Sequence, residues 1–194
     1  MEVVVMKVTL AETISCCCAV LVAIIISGCE NFSPVNEIAP VSNFNITRYM
    51  GTWYEIARLP HNFEAGVTDA QATYTLQDDG TIIIENSGKK NQITTSAHAT
   101  ARSAIPGSGL GLLEVSFFYP FYTMYKIIYL DPNYSLAIVT GNSMDYLWIL
   151  ARKPVISKEK LAMCLKMLEN WGYAVKLLQY PTGEITGILN NQSE

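Results

Sequence analysis

The 194-residue chain carries 13 basic and 17 acidic residues, a net charge of -4, and half of its residues are hydrophobic while 15% are charged. That balance excludes a disordered chain and a nucleic-acid binder organised by basic charge. The length fits a single domain of roughly 100 to 200 residues with one core.

Thr13 to Gly28 is sixteen residues without a charge. A membrane span needs about 20 apolar residues, so this run is short for one and suits the apolar region of a signal peptide. Residues 1–28 are therefore expected to be an export leader, with Met1 or Met6 as its start. Ile26-Ser27-Gly28-Cys29 resembles the lipobox of bacterial lipoproteins, which implies a lipidated Cys29 and an anchored chain. An ordinary cleaved signal and an uncleaved anchor are the alternatives. Cys16, Cys17 and Cys18 fall in the leader, so Cys164 is the one thiol left in the mature chain and no internal disulfide can form. Loss of the leader removes Lys7, Glu2 and Glu12 and leaves a mildly acidic protein.

Residues 29–43 are polar, contain Pro34 and Pro40, and lack periodicity, the pattern of a tether. A folded domain is expected over 44–185, followed by a tail over 186–194. From Phe44 to Gly141, runs rich in Tyr, Thr, Ile, Val and Phe alternate with turn residues. Gln77-Asp78-Asp79-Gly80 carries the Asp-Gly of a tight hairpin, and Asp131-Pro132-Asn133 and Thr140-Gly141-Asn142 are similar breaks. Eight strands are read near 53–59, 69–77, 81–87, 93–101, 111–118, 122–130, 135–140 and 145–151. Ala70, Ala72, Tyr74 and Leu76 alternate with Gln71, Thr73 and Thr75, so one face is apolar and the other polar. The fold class is all-β: an eight-stranded antiparallel up-and-down barrel, closed so that no edge remains. On this register Ala70, Ala72, Ala97, Ala99, Ala137 and Gly141 point inward, and such small groups leave a void.

After Pro154 the period becomes helical. Ser157 is an N-cap, Glu159 sits in the first turn and Gly172 follows the end. Leu161, Cys164, Leu165, Leu168 and Trp171 form one apolar stripe, so the C-terminal α-helix packs outside the barrel. Val175 to Tyr180 reads as a short final strand.

Tyr49-Met50-Gly51-Thr52-Trp53-Tyr54-Glu55-Ile56-Ala57-Arg58 resembles the first lipocalin signature, Gly-X-Trp on the opening strand. Leu130-Asp131-Pro132-Asn133-Tyr134 stands at the second, with Pro132 departing from its usual form, and Tyr146-Leu147-Trp148-Ile149-Leu150-Ala151-Arg152 is similar to the third. Together with the lipobox, the Val115 to Tyr122 run and the lack of disulfides, these motifs resemble the bacterial outer-membrane lipoprotein lipocalins of the Blc type, which are related to apolipoprotein D. The resemblance covers Phe44 to Tyr180. It implies that Trp53 and Arg152 close the barrel floor as a cation-π pair, and that Gly51 lets the chain turn tightly into its strand.

The resemblance also implies a fatty acid or lysophospholipid as ligand, a lipid anchor at the outer membrane facing the periplasm, and a homodimer as an open state. No nucleic acid and no cofactor are expected. Ala72, Tyr74, Ile84, Asn86, Val115, Phe117, Tyr125, Val139, Tyr146 and Trp148 are the expected ligand wall, with the Tyr hydroxyls and Asn86 as its few polar groups. Glu55 alternates onto the inner face and should have a partner. An enzyme finds little support: His61 falls in a loop, His98 faces outward, and Gly-X-Ser-X-Gly, a phosphate loop and HEXXH are all missing. A tetrapyrrole or haem carrier and a lipocalin-type isomerase remain the alternatives, and both lack an inward His or Cys on this register.

Overall fold

The computed structural model describes residues 38–181. A single helical turn, α1 (Ile46–Tyr49), leads into eight strands: β1 (Gly51–Arg58), β2 (Val67–Leu76), β3 (Ile82–Lys90), β4 (Ile93–Ser103), β5 (Leu112–Phe118), β6 (Phe121–Leu130), β7 (Leu136–Thr140) and β8 (Leu147–Ala151). Each pairs antiparallel with the next, and β8 returns to β1 to close the barrel. The helix α2 (Lys158–Asn170) follows.

Paired residues share a face, so register identifies the interior. One inward row runs Trp53, Ala72, Asn86, Ala97; another runs Leu76, Ile82, Ala101, Val115, Thr123. Ile127, Val139, Trp148 and Arg58 form a third. The register of β1 against β8 shifts between Glu55 and Ala57. This bulge places Ile56 and Ala57 in the outer core and turns Arg58 inward beside Glu55, against the strict alternation expected from the sequence.

Two cores result. The inner one fills the closed end with Tyr49, Trp53, Tyr74, Ile84, Leu113, Ile127, Tyr134 and Leu150. The outer one lies between the barrel wall and α2, where Leu161, Cys164 and Leu168 are buried against Ile56, Ile138, Leu147 and Ile149. Ser157 caps α2 by accepting from the Lys160 N–H, and Gly172 ends it at φ +82°, a conformation suited to glycine. Burial pushes the Cys164 thiol up to about 12, so it stays protonated and serves as packing.

Three expectations are corrected. Val175–Leu177 is a short 3-10 turn, and only Gln179 bridges to Arg58, so the expected final strand is reduced to one pair. The tether expected over 29–43 is already docked from Ile38: Val41 bonds to Gly111 and Ile127, and the Phe44 N–H donates to Gly109 O. The leader, Cys29 and the tail over 186–194 lie outside the described residues. Most of the small inward residues do not leave a void, because large neighbours use their space. Ala70, Ala99 and Ala137 are buried, and any Cβ on Gly141 would meet the Tyr146 side chain at 3.0 Å, while Ala72 and Ala97 remain partly or fully accessible.

Candidate functional site

The floor is built from the chain's first and last barrel segments. Arg152 leaves the end of β8 with its Cζ 4.0 Å from the Trp53 ring centroid. Its nitrogens donate to the carbonyls of Arg48, Tyr49, Met50, Thr52 and Tyr134 at 2.7–3.2 Å. The Trp53 indole N–H donates to Tyr49 O at 2.8 Å, and the Tyr49 and Trp53 rings lie 4.7 Å apart. Gly51 turns at φ +88° with Arg152 Nη1 3.4 Å from where a Cβ would stand, so a side chain there crowds the guanidinium. Asp131 holds the β6–β7 turn by accepting from the Ser135 N–H, the Ser135 hydroxyl and the Leu136 N–H, which keeps its carboxyl below the usual range despite partial burial.

Above the floor stands a tyrosine triad. Tyr125 OH is 2.8 Å from Tyr49 OH and 3.1 Å from Tyr74 OH. Burial raises all three, Tyr74 to about 12, so the hydroxyls stay protonated and can donate to one another or upward.

The open end is different in kind. Arg58 Nη1 donates to Glu55 Oε1 at 2.6 Å, and Nη2 donates to Glu64 O and Val67 O, both at 2.9 Å. Burial is the main cause raising Glu55 to about 7, with the Glu64 charge adding and Arg58 opposing. Glu64 Oε2 accepts from the Trp148 indole N–H at 3.2 Å. It also lies 3.0 Å from His61 Nε2, without the geometry of a hydrogen bond. The His61 ring stacks on Phe63 at 4.0 Å and stands 5.1 Å from Trp148.

The expected wall residues divide by height. Tyr74, Ile84, Val115 and Val139 are buried in the inner core. Ala72, Asn86, Tyr125 and Trp148 are half-buried above them, and Phe117 and Tyr146 stand exposed at the rim. Inward Ala97 and Thr123 are exposed as well, so the upper half of the interior is reached by solvent. Sequence reasoning missed Arg58, His61, Phe63 and Glu64. His61 is the loop residue expected from the sequence, and its imidazole is buried in the mouth. His98 pairs with Glu85 on the outward face. No group of three or more His, Cys, Asp or Glu residues able to hold a metal occurs among the described residues. A groove lined by Tyr54, Asp69, Gln71, Ser87 and Pro154 lies on the outer wall, since Tyr54, Gln71 and Ser87 take the outward register.

A family model described as a lipocalin-like domain matches residues 44–182. The chain belongs to the lipocalin family. This lipocalin is 40% identical over 161 residues to the outer membrane lipoprotein Blc of Citrobacter freundii, covering 82% of this chain and 91% of that one. It is 31% identical to apolipoprotein D of Mus musculus, over 74% of this chain and 76% of that one. Among solved structures, insecticyanin from Manduca sexta superposes with a TM-score of 0.63 at 18% identity, covering 75% of this chain and 84% of that chain, which bears on fold alone. Membership makes the chain a binding protein for small hydrophobic ligands rather than an enzyme.

Proposed function

We propose that this lipocalin holds one fatty acid or lysophospholipid, with the acyl chain in the upper half of the barrel and the polar head at the mouth. The observation that carries the reading is the contrast along the interior. Inward positions near the floor are closed by packing, while Ala72, Asn86, Ala97, Thr123 and Trp148 stay accessible. An apolar lining with few polar groups suits a hydrocarbon chain. Burying about 12 methylenes at ~0.8 kcal/mol each contributes roughly 10 kcal/mol against an association cost of at least about 4 kcal/mol, so the acyl chain alone binds with a dissociation constant on the order of 0.1 mM at best, and tighter binding draws on contacts to the head. Arg58 Nε and His61 Nδ1 are buried without a hydrogen-bond partner, and they are the mouth groups a head can satisfy.

We further propose that Cys29 carries a lipid anchor and that the barrel is held at the outer membrane on its periplasmic side. The lipobox and the name of the Citrobacter freundii relative support that placement. The association state, including a homodimer, is left to measurement. Native mass spectrometry of the chain purified from membranes, followed by lipid extraction, tests the cargo. One single-chain lipid per protein is expected. A chain that carries no lipid and takes up none sinks the proposal, and a new product formed on incubation with lipid revives the isomerase alternative.

A further inference from the structure

The hydrogen bonds of the tyrosine triad leave one donor over. Each phenol carries one proton, so Tyr49, Tyr74 and Tyr125 together hold three donors, and burial keeps all three protonated. Two bonds join them, Tyr49 OH to Tyr125 OH at 2.8 Å and Tyr74 OH to Tyr125 OH at 3.1 Å. These hydroxyls have no other partner among the described residues. Two bonds use two protons, whichever way they run. One O–H is left without an acceptor.

Burial decides which one. Tyr49 is fully buried and Tyr74 is 5% exposed, so an unmet donor on either would face only packed side chains. Both therefore donate to the Tyr125 hydroxyl oxygen, which has two lone pairs to accept them. Tyr125 is inward and half-buried, one inward step below exposed Thr123, and its own O–H is the spare donor. Because β6 begins at Phe121 at the open end, Tyr125 stands four residues down, about 13 Å along the strand.

Solvent reaches that level of the interior and meets the donor while no ligand is bound. An acyl chain that descends to Tyr125 displaces the solvent. A methyl end then leaves the O–H unmet, whereas an oxygen at the far end of the chain restores the bond. A carboxylate turned downward does not suit the place, since it would be a buried charge and the floor guanidinium of Arg152 is already spent on five carbonyls.

We infer that the barrel selects acyl chains that carry an uncharged oxygen, a hydroxyl or a ketone, at the end away from the head, and that Tyr125 is the residue that reads it. The inference deepens the lipid-carrier reading and rests on it for an acyl chain held with its head at the mouth.

Calorimetric titration of the full chain with dodecanoic acid and with 12-hydroxydodecanoic acid tests it. In an apolar pocket without a donor the hydroxy acid is the weaker ligand, because its hydroxyl is buried unpaired. Here it is expected to bind about three- to tenfold tighter than dodecanoic acid. Loss of the Tyr125 hydroxyl alone would orphan two buried phenols, so the variants are paired to avoid that. Tyr49→Phe/Tyr74→Phe retains the Tyr125 O–H and is expected to keep the preference. Tyr49→Phe/Tyr74→Phe/Tyr125→Phe, with one oxygen fewer, is expected to reverse it. Equal or weaker binding of the hydroxy acid by the parent overturns the inference and leaves the carrier reading standing, since dodecanoic acid is still held. A preference already lost in the double variant, or surviving in the triple one, also overturns it, because Tyr125 is then not the reader. Should the parent bind neither acid, the inference and the carrier reading fall together.

Discussion

The two ends of this barrel solve opposite problems with similar residue types. At the floor, Arg152 satisfies five backbone carbonyls and covers Trp53, so a cation and an indole are used to seal. At the mouth, Arg58 is buried and tied to Glu55 and to two carbonyls, while Trp148 is half-buried and bound to Glu64, so the same pair of residue types leaves the indole facing accessible space. The lesson is that composition does not distinguish scaffold from site here. What distinguishes them is whether neighbours fill the remaining contacts.

Four substitutions break or sharpen this contrast. Trp53→Ala should cost about 3–5 kcal/mol, because the residue is fully buried and its loss leaves a cavity beneath Arg152. Urea titration measures it, and a loss below about 1 kcal/mol would mean the floor is not the stabilising end.

The mouth charge cluster makes a pH prediction with the next largest effect. Glu55 is raised from 4.5 to about 7 in the fold, so the folded state binds more protons than the unfolded chain between those values. Its contribution to stability is full below about 4.5 and is lost as pH rises through about 7. Relative to Glu55→Gln, the parent should therefore lose about 1–3 kcal/mol from pH 4.5 to 8. Paired denaturation curves across that range check the sign, and a parent that gains on the Gln variant as pH rises refutes it.

Trp148→Ala should spare the fold and weaken acyl-chain binding about 10- to 100-fold, as expected for removing roughly 1.5–3 kcal/mol of apolar contact. Titration with a twelve-carbon or longer fatty acid reads it out, and unchanged affinity would show that the wall lies elsewhere. Phe118→Ser should change stability by less than about 0.5 kcal/mol, since its ring is 81% exposed. A thermal melt suffices, and a large loss would place the rim within the fold.

The strands, the helix and the floor were legible because their signals are local. Alternation set the β2 face, Asp79-Gly80 marked a hairpin, Ser157 capped α2, and Gly51, Trp53 and Arg152 stood at motif positions. The mouth was less legible, because its residues arrive there through departures from periodicity. Arg58 faces inward only because of the bulge after Glu55, so its pairing with Glu55 cannot be read from a period of two. His61, Phe63 and Glu64 belong to a loop and its 3-10 turn, where no period assigns a face. The inward alanines misled for a related reason: a small residue signals space, but not which large side chain claims it. Likewise, Val41 joins the barrel through backbone bonds, which leave no trace in side-chain pattern.

The Arg152 clamp also constrains how the chain comes to be folded. It joins residues about a hundred positions apart, and β1 meets β8 only when Ala151 pairs with Tyr54. Contacts of such separation are costly in loop entropy and form late. Until then β1 is an open strand edge, able to recruit another chain. A polypeptide threaded N-terminus first thus carries an adhesive edge until its last strand emerges, and anything that shelters nascent chains on that route protects this one in particular.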